Sequence, residues 1–287
     1  MYDEAGGHLT GRGLHGLAET DRRLLVGLAL NLGAARPAEA AFGLIADGHT
    51  AVVETAQASG LGLVAERERD AWSVTTRGTG ELITAAAEAG ARDVLLSVGG
   101  SATTDGGAGA LEALDEAGVD VQIEVLCDVR TPFELAARVF GPQKGADPAT
   151  VERLERRLGQ LATTAPRDPR GVPMTGAAGG LSGGLWAHRN ARLRPGAAYV
   201  LDAVGFDERM REAAFVVTGE GRLDEQTLEG KLVGELARRC RQSGVACHAV
   251  VGGNVLDPFQ ERLLDLASVT EASTMDELAA AGAALAA

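Results

Sequence analysis

Residues 93–109 read Asp-Val-Leu-Leu-Ser-Val-Gly-Gly-Ser-Ala-Thr-Thr-Asp-Gly-Gly-Ala-Gly, which indicates a strand, a glycine-rich loop and the start of a helix. The apolar run at 94–98 predicts a buried strand of the kind that is covered on both faces. Glycines then turn the backbone where Cβ atoms would obstruct it. The helix predicted at 108–117 presents its positive end to this loop, an arrangement that suits phosphate oxygens. The alternative is a turn capped by Thr104 or Asp105, with no ligand at all.

The composition indicates a globular protein with one large domain or two ordinary ones, since 45% of its 287 residues are hydrophobic. A net charge of −13 argues against a nucleic-acid or anionic-membrane surface. Three scattered cysteines, at 127, 240 and 247, predict reduced thiols and not a disulfide framework or a zinc ribbon. Without an apolar run of membrane-spanning length or a secretory signal, we expect a cytoplasmic protein with no membrane or nucleic-acid partner.

The order of predicted elements indicates an α/β protein with two domains. In the last third, strands at 213–218, 247–251 and 266–270 alternate with helices, which is the pattern of a parallel sheet with helices on both faces. The preceding part of the chain contains a hairpin at 40–55 and long loops, so we expect a separate α+β unit there. The proline-containing loop at 163–173 is a candidate crossing between domains.

Four loops share one composition: each follows a strand or opens a helix and combines glycines with acidic, hydroxyl or basic residues. They are residues 99–109, 127–145, 176–184 and 218–231. Residues 176–184 contain too many glycines for a stable helix, so we expect the next helix only at 185–190. Strand-end loops of an α/β protein meet at one crevice, where ligands bind.

These loops offer carboxylates, cations and an amide, without a cluster of histidines or cysteines. The set consists of Asp105, Asp128, Glu220, Asp224, Lys144, Arg222, Lys231 and Gln143. Carboxylates and cations suit phosphoryl transfer, in which a protein positions groups and neutralises charge with Mg²⁺ and Lys or Arg. The structural alternative is that the carboxylates cap turns and Lys144 is a solvated loop residue. Lys231 stands in the first turn of a helix, where a cation opposes the dipole, and this favours a ligand role.

Motifs for other chemistries are incomplete. Gly230 and Lys231 are followed by Leu232, so the P-loop pattern is absent. Residues 180–184 match the spelling GxSxG, but no strand precedes them as a nucleophile elbow requires. The five histidines never adopt the spacing of zinc ligands.

Six motifs, in order, resemble the bacterial glycerate kinases of the two-domain type, the glycerate 2-kinases. They are Thr75-Thr-Arg-Gly-Thr-Gly-Glu81, the loop at 99–109, Cys127-Asp-Val129, Phe140-Gly-Pro-Gln-Lys-Gly-Ala146, Gly176-Ala-Ala-Gly-Gly-Leu181, and Val217-Thr-Gly-Glu-Gly-Arg-Leu-Asp-Glu-Gln-Thr227 with Gly230-Lys231. The motifs lie between Thr75 and Lys231, and the resemblance covers about residues 40–270, which makes it specific. The resemblance implies ATP-dependent phosphorylation of D-glycerate with Mg²⁺, giving 2-phosphoglycerate.

The resemblance also implies two domains with the active site between them. One is flavodoxin-like and built from both chain ends, which we place at 1–30 and 195–287. The other is an inserted α+β domain, which we place at 31–194.

On the residues and this resemblance together, we predict catalytic roles for Asp105, Asp128, Lys144 and Asp224. The residues expected to bind substrate or nucleotide are Gly100, Ser101, Thr103, Gln143, Gly179, Gly180, Glu220, Arg222 and Lys231. Glu220 and Asp224 are also the candidate Mg²⁺ ligands. Which carboxylate binds metal and which accepts a proton from glycerate stays open, as do the acceptor hydroxyl and the oligomeric state.

The front of the sequence departs from the family pattern. The resembled family begins with a strand and an Asp-x-Phe-Lys loop, followed by a helix and an Ala-Asp-Gly-Gly-Glu-Gly loop. Only residues 4–10 resemble part of this, with Ala5 and His8 in place of the second loop's Asp and Glu. Two interpretations follow: an active kinase whose remaining loops bind both substrates, or a truncated or degenerate member that binds glycerate or nucleotide without turnover.

Overall fold

The computed structural model describes residues 17–24, 30–31, 35–36, 40–45, 48–228 and 230–286. They fall into two compact units, one within His15–Gly196 and the other within Ala197–Ala287. The domain boundaries inferred from the sequence stay a prediction. The loop remnant proposed at residues 4–10 lies outside the described residues.

A mixed six-stranded sheet forms the centre of the unit within His15–Gly196. Its strands are β1 (Leu17–Leu24), β4 (Ala40–Ile45), β5 (Thr50–Glu54), β6 (Asp93–Ser97), β7 (Gln122–Cys127) and β8 (Arg192–Pro195), while β2 (Leu30–Asn31) and β3 (Ala35–Arg36) pair separately. The sheet order is β1-β4-β5-β6-β7-β8, antiparallel up to β5 and parallel from there on. The hairpin predicted at 40–55 is confirmed.

Register places small and branched residues in rows across the parallel strands. Ala51, Val94 and Ile123 are aligned, and all three are buried because they share one face of the sheet. On the opposite face of β6, Leu95 and Ser97 are only half-buried. The expectation that this strand is fully covered on both faces is therefore correct for one face only.

Six helices pack on this sheet or beside it. They are α1 (Thr55–Ser59), α2 (Arg77–Glu88), α3 (Ala108–Glu116), α4 (Ala136–Phe140), α5 (Pro148–Thr164) and α6 (Leu181–Arg189). Asp147 caps the N-terminus of helix α5, since its carboxylate accepts a hydrogen bond from the Thr150 amide at 2.7 Å. Its buried residues, Leu154, Leu158 and Ala162, are four residues apart and therefore lie on one face of the helix.

Helix α6 corrects the expectation for residues 176–184, because the helix begins at Leu181 and includes Gly183 and Gly184. A Cβ atom at Gly184 would lie 2.2 Å from the carbonyl oxygen of Gly106. The low helix propensity of glycine is outweighed here by the close packing that only glycine allows.

The unit within Ala197–Ala287 contains a three-stranded parallel sheet in the order β11-β10-β9. The elements are α7 (Gly196–Ala203), α8 (Phe206–Glu212), β9 (Phe215–Glu220), α9 (Glu225–Leu228), α10 (Leu232–Ser243), β10 (Ala246–Val251), α11 (Pro258–Leu264), β11 (Ser268–Glu271) and α12 (Met275–Ala286). These two sheets confirm the α/β class predicted from the sequence. Across the described ranges, every helix is too short or too polar to cross a membrane.

Candidate functional site

The carboxylate of Asp105 is the most heavily hydrogen-bonded group of the glycine loop, by which we mean residues 99–109. Its Oδ2 atom accepts from Thr75 Oγ1 at 3.0 Å, from the amide and hydroxyl of Thr76 at 2.8 Å each, and from the Gly109 amide at 3.1 Å. Its Oδ1 atom accepts from the Gly107 amide at 3.1 Å. One buried carboxylate therefore joins the N-terminal ends of α2 and α3.

These bonds occupy the amides that were expected to bind an anion at the start of α3. The Gly107 and Gly109 amides donate to the Asp105 side chain, the Ala108 amide donates to the Asp105 carbonyl, and the Gly106 amide donates to the Gly179 carbonyl. Asp105 thus supplies the negative charge at this helix end itself. The contacts favour the capping interpretation of Asp105, and its catalytic role stays a prediction.

Lys144 is buried against the glycine loop and is not a solvated loop residue. Its side chain is only 3% exposed, and Nζ donates hydrogen bonds to Ser101 Oγ at 3.1 Å and to the Thr103 carbonyl at 2.5 Å. Burial lowers the pKa of Lys144 to about 7, against the opposing effect of the negative charge on Asp105. The solvated alternative for Lys144 is therefore wrong.

The loop at 176–184, here the second glycine loop, packs directly on the glycine loop. Ala178, Gly179 and Gly180 have φ values of 52°, 65° and 94°, which turn the chain sharply before α6. The Gly106 amide donates to the Gly179 carbonyl at 3.0 Å. A Cβ atom at Gly179 would lie 2.0 Å from the Thr103 carbonyl oxygen, so the two backbones approach as closely as glycine allows.

Residues predicted from the loop at 127–145 take three different positions. Lys144 joins the glycine loop, whereas Gln143 is exposed. Asp128 is half-buried directly after β7, and its charge adds to the burial that raises the pKa of the Cys127 thiol to about 12. The structure brings together parts of three of the four predicted loops within one unit.

The fourth loop, 218–231, belongs to the other unit and is organised around a buried threonine. Thr227 Oγ1 donates to Glu220 Oε1 at 2.6 Å and accepts from the Asp224 amide at 3.3 Å. The Asp224 carboxylate also accepts from the Gln226 amide at 3.0 Å and lies 3.6 Å from the Arg222 guanidinium. Lys231 is half-buried at the N-cap of α10, one residue before the first turn in which it was predicted to stand.

Glu220 and Asp224 have the donor chemistry that Mg²⁺ prefers. Mg²⁺ binds hard oxygen ligands and often takes only one or two carboxylates together with substrate phosphates and water. Thr227 Oγ1 contacts the carboxylate of Glu220 and the backbone amide of Asp224. Within the described residues, no group of three or more His, Cys, Asp or Glu side chains is arranged to hold a metal ion.

Sequence reasoning missed the threonines that organise these loops. Thr76, Thr175 and Thr227 are completely buried, and the hydroxyl of each joins separate segments. Thr175, for example, accepts a hydrogen bond from the Phe133 amide at 2.9 Å and donates to the Val172 carbonyl at 2.6 Å. The only signal in the sequence is that Thr76 and Thr227 fall within the quoted motifs, which assign them no contact.

Comparisons with known proteins agree with the motifs. Residues 28–120 and 114–285 match the family model described as the glycerate kinase family. A glycerate kinase of Halalkalibacterium halodurans is 39% identical to this chain, over 75% of this chain and 66% of the relative. A glycerate 2-kinase of Escherichia coli is 38% identical, over 67% of this chain and 60% of the relative.

A solved structure shows the same likeness. The crystal structure provisionally assigned as glycerate kinase 2 of Salmonella typhimurium LT2 has a TM-score of 0.67 and 31% sequence identity, and it covers 94% of this chain and 79% of that one. The chain spans only 60 to 66% of the length of the two curated relatives named above.

Proposed function

The chain belongs to the glycerate kinase family, and on that premise we propose that it phosphorylates D-glycerate with ATP and Mg²⁺, giving 2-phosphoglycerate. The relatives are named as glycerate kinases, and we propose the same activity for a chain that spans 60 to 66% of their length. It rests on one structural observation in particular, the packing of the two glycine loops and Lys144 in one place.

Lys144 is the group we propose to neutralise charge beside the glycine loop. Its ammonium group is removed from bulk water, and a charge in such surroundings acts more strongly on a nearby phosphate than a solvated one does. Because its pKa is lowered to about 7, Lys144 is also able to exchange a proton near neutral pH. The Ser101 hydroxyl, 3.1 Å from Nζ, would carry that exchange toward a bound substrate.

Asp105 has a different role in this proposal. Five donors already occupy its two oxygens, so the carboxylate is poorly placed to accept a further proton or a metal ion. We assign it the task of fixing the glycine loop to the N-terminal ends of α2 and α3. Gly100, Ser101 and Thr103 of the same loop remain the residues proposed to bind substrate oxygens. The proton acceptor is then one of Asp128, Glu220 and Asp224.

Glu220 and Asp224 are the residues that would hold Mg²⁺, which when bound neutralises negative charge on the phosphates of a nucleotide. Thr227 contributes by fixing Glu220 Oε1 and the Asp224 amide. Arg222, which is 65% exposed, and Lys231 supply further positive charge from the same loop. A chain with a net charge of −13 needs such local cations to attract an anionic substrate.

We further propose a cytoplasmic location and small molecules as the only ligands.

The proposal is tested by ADP release from ATP in the presence of D-glycerate and Mg²⁺, with ³¹P NMR to identify which hydroxyl is phosphorylated. We expect turnover by the full chain and a loss of roughly a hundredfold or more in kcat for Lys144→Ala and Asp224→Asn, the size seen when a charge-stabilising group is removed.

Asp168→Asn is the matched control, because Asp168 forms only an exposed pair with Arg170. It should keep the wild-type rate. A folded chain that binds ATP but releases no ADP would contradict the proposal and support binding without turnover. Wild-type rates in both site variants would place those residues outside the site.

A further inference from the structure

A cavity of about 750 Å³ lies within the unit His15–Gly196, between α3, α5 and α6. Its lining includes apolar side chains, Leu111, Phe133 and Leu161, and one arginine, Arg157. The volume falls within the range of small-molecule sites, and such sites combine apolar walls with a few polar groups. The cavity borders the glycine loop, since Asp105, Gly106 and Gly109 also line it. Neither the motifs nor the proposed reaction assigns a function to Arg157, and we call this space the Arg157 cavity.

Arg157 is held in place but makes little use of its hydrogen-bonding capacity. Its guanidinium carbon lies 3.7 Å from the centre of the Trp72 ring, and Nη1 donates to the Trp72 carbonyl at 3.0 Å. This is the one hydrogen bond that Arg157 makes to the described residues, although a guanidinium carries five N–H donors. Partial burial lowers the pKa of Arg157, and the positive charge of Arg153 acts in the same direction. The negative charges of Asp105 and Asp70 oppose this lowering without reversing it. The group is therefore a preorganised and incompletely compensated cation.

The acidic residues that line the cavity are already paired with other groups. Glu112 and Glu116 share the Arg77 guanidinium with Glu81, and Asp115 lies 2.6 Å from Arg189. Asp105 accepts five hydrogen bonds, as described above, and forms no ion pair with Arg157 in the described part of the chain. The carboxylates therefore leave the open donors of Arg157 available to a ligand.

We propose that the Arg157 cavity binds a small organic anion, with a carboxylate or phosphate group on Arg157 and the carbon skeleton against Leu111 and Leu161. A planar guanidinium matches both oxyanions with two parallel hydrogen bonds, and its stacking on Trp72 reduces the entropy lost on binding. The inference rests on the proposed function only in the choice of D-glycerate as the first probe.

Trp72 provides the measurement, because the chain contains only two tryptophans, Trp72 and Trp186. In a Trp186→Phe background, the fluorescence of Trp72 is titrated with D-glycerate, with inorganic phosphate, and with glycerol as a probe that lacks the anionic group. We expect a saturable change with D-glycerate or phosphate and none with glycerol. The relative affinity of the two anions identifies which oxyanion the cavity takes.

Arg157→Gln should weaken anion binding roughly ten- to a hundredfold, the size of a lost charge-assisted hydrogen bond. Arg153→Gln is the matched control, since Arg153 stacks on the same ring at 4.0 Å but does not line the cavity. It should retain the wild-type affinity. Arg157→Lys keeps the charge without the planar donor set and should bind with intermediate affinity. Thermal unfolding of each variant shows whether it is folded.

The inference is overturned if neither anion binds, if glycerol produces the same change as D-glycerate, or if folded Arg157→Gln and Arg157→Lys both bind like the wild type. The ADP-release assay separates this result from the proposed function. Turnover without Arg157-dependent binding overturns the cavity assignment alone, and Arg157-dependent binding without turnover supports the cavity assignment and contradicts the proposed activity.

Discussion

Replacing Gly179 with alanine tests whether the contact between the two glycine loops stabilises the unit that contains them. Gly179 has a φ of +65°, and an added Cβ would lie 2.0 Å from the Thr103 carbonyl oxygen. The same oxygen accepts the hydrogen bond from Lys144. Gly171→Ala is the matched control, because Gly171 has a φ of +70° and no heavy atom within 4 Å of the added Cβ.

The two variants share the cost of a left-handed residue and differ in the steric contact. A left-handed conformation costs a residue with a Cβ about 1–2 kcal/mol. Overpacking adds about 1–3 kcal/mol, because the added atom meets backbone and not a flexible side chain. We therefore expect the free energy of unfolding to fall by about 1–2 kcal/mol in Gly171→Ala and by about 2–5 kcal/mol in Gly179→Ala.

Urea unfolding followed by tryptophan fluorescence measures this difference for the relevant unit, since Trp72 and Trp186 both lie within His15–Gly196. The ADP-release assay, run below the unfolding transition, shows whether the displaced Thr103 carbonyl also affects turnover. Equal unfolding free energies for Gly179→Ala and Gly171→Ala would refute the reasoning, because the loop contact would then carry no cost of its own.

Two further predictions concern the charged groups of the glycine loop. Asp105→Asn should lower the unfolding free energy by about 3 kcal/mol, because the amide nitrogen cannot accept from the Gly107 amide and the four hydrogen bonds to the other oxygen lose their charge assistance. Asp70→Asn is the control, because this carboxylate is more exposed and accepts hydrogen bonds from Trp72 and Ser73. It should lower the unfolding free energy by less than about 1 kcal/mol in the same urea titration. An equal loss in both variants would contradict the stabilising role of the Asp105 hydrogen bonds. Since the pKa of Lys144 falls from 10.5 in the unfolded chain to about 7 on folding, the unfolded state binds more protons between these values. We compare the unfolding free energy of the wild type with that of Lys144→Met as a function of pH. The difference should rise from about pH 7 to about pH 10, by at most about 1.4 kcal/mol per pH unit. A difference that does not change with pH would exclude the lowered pKa.

Local patterns were sufficient for most elements of the fold. The helix predicted at 108–117 is α3, Ala108–Glu116, and the strand predicted at 247–251 is β10, Ala246–Val251. Both follow from hydrophobic periodicity bounded by glycines, which are interactions within a few residues. The predicted start of α6 was wrong, because helix propensity does not include the packing of Gly184 against Gly106.

The sequence by itself determined the α/β class, the hairpin and the family, because periodicity, turn residues and ordered motifs are properties of neighbouring residues. The contacts of Asp105 and Lys144 were decided only by the tertiary structure. The threonines that donate to Asp105 lie 29 and 30 residues away, and the oxygens that Lys144 contacts lie 41 and 43 residues away. Arg157 contacts Trp72 across 85 residues and lines a cavity formed by three helices. Burial and hydrogen bonding over such separations depend on how the elements pack, and no local pattern records them.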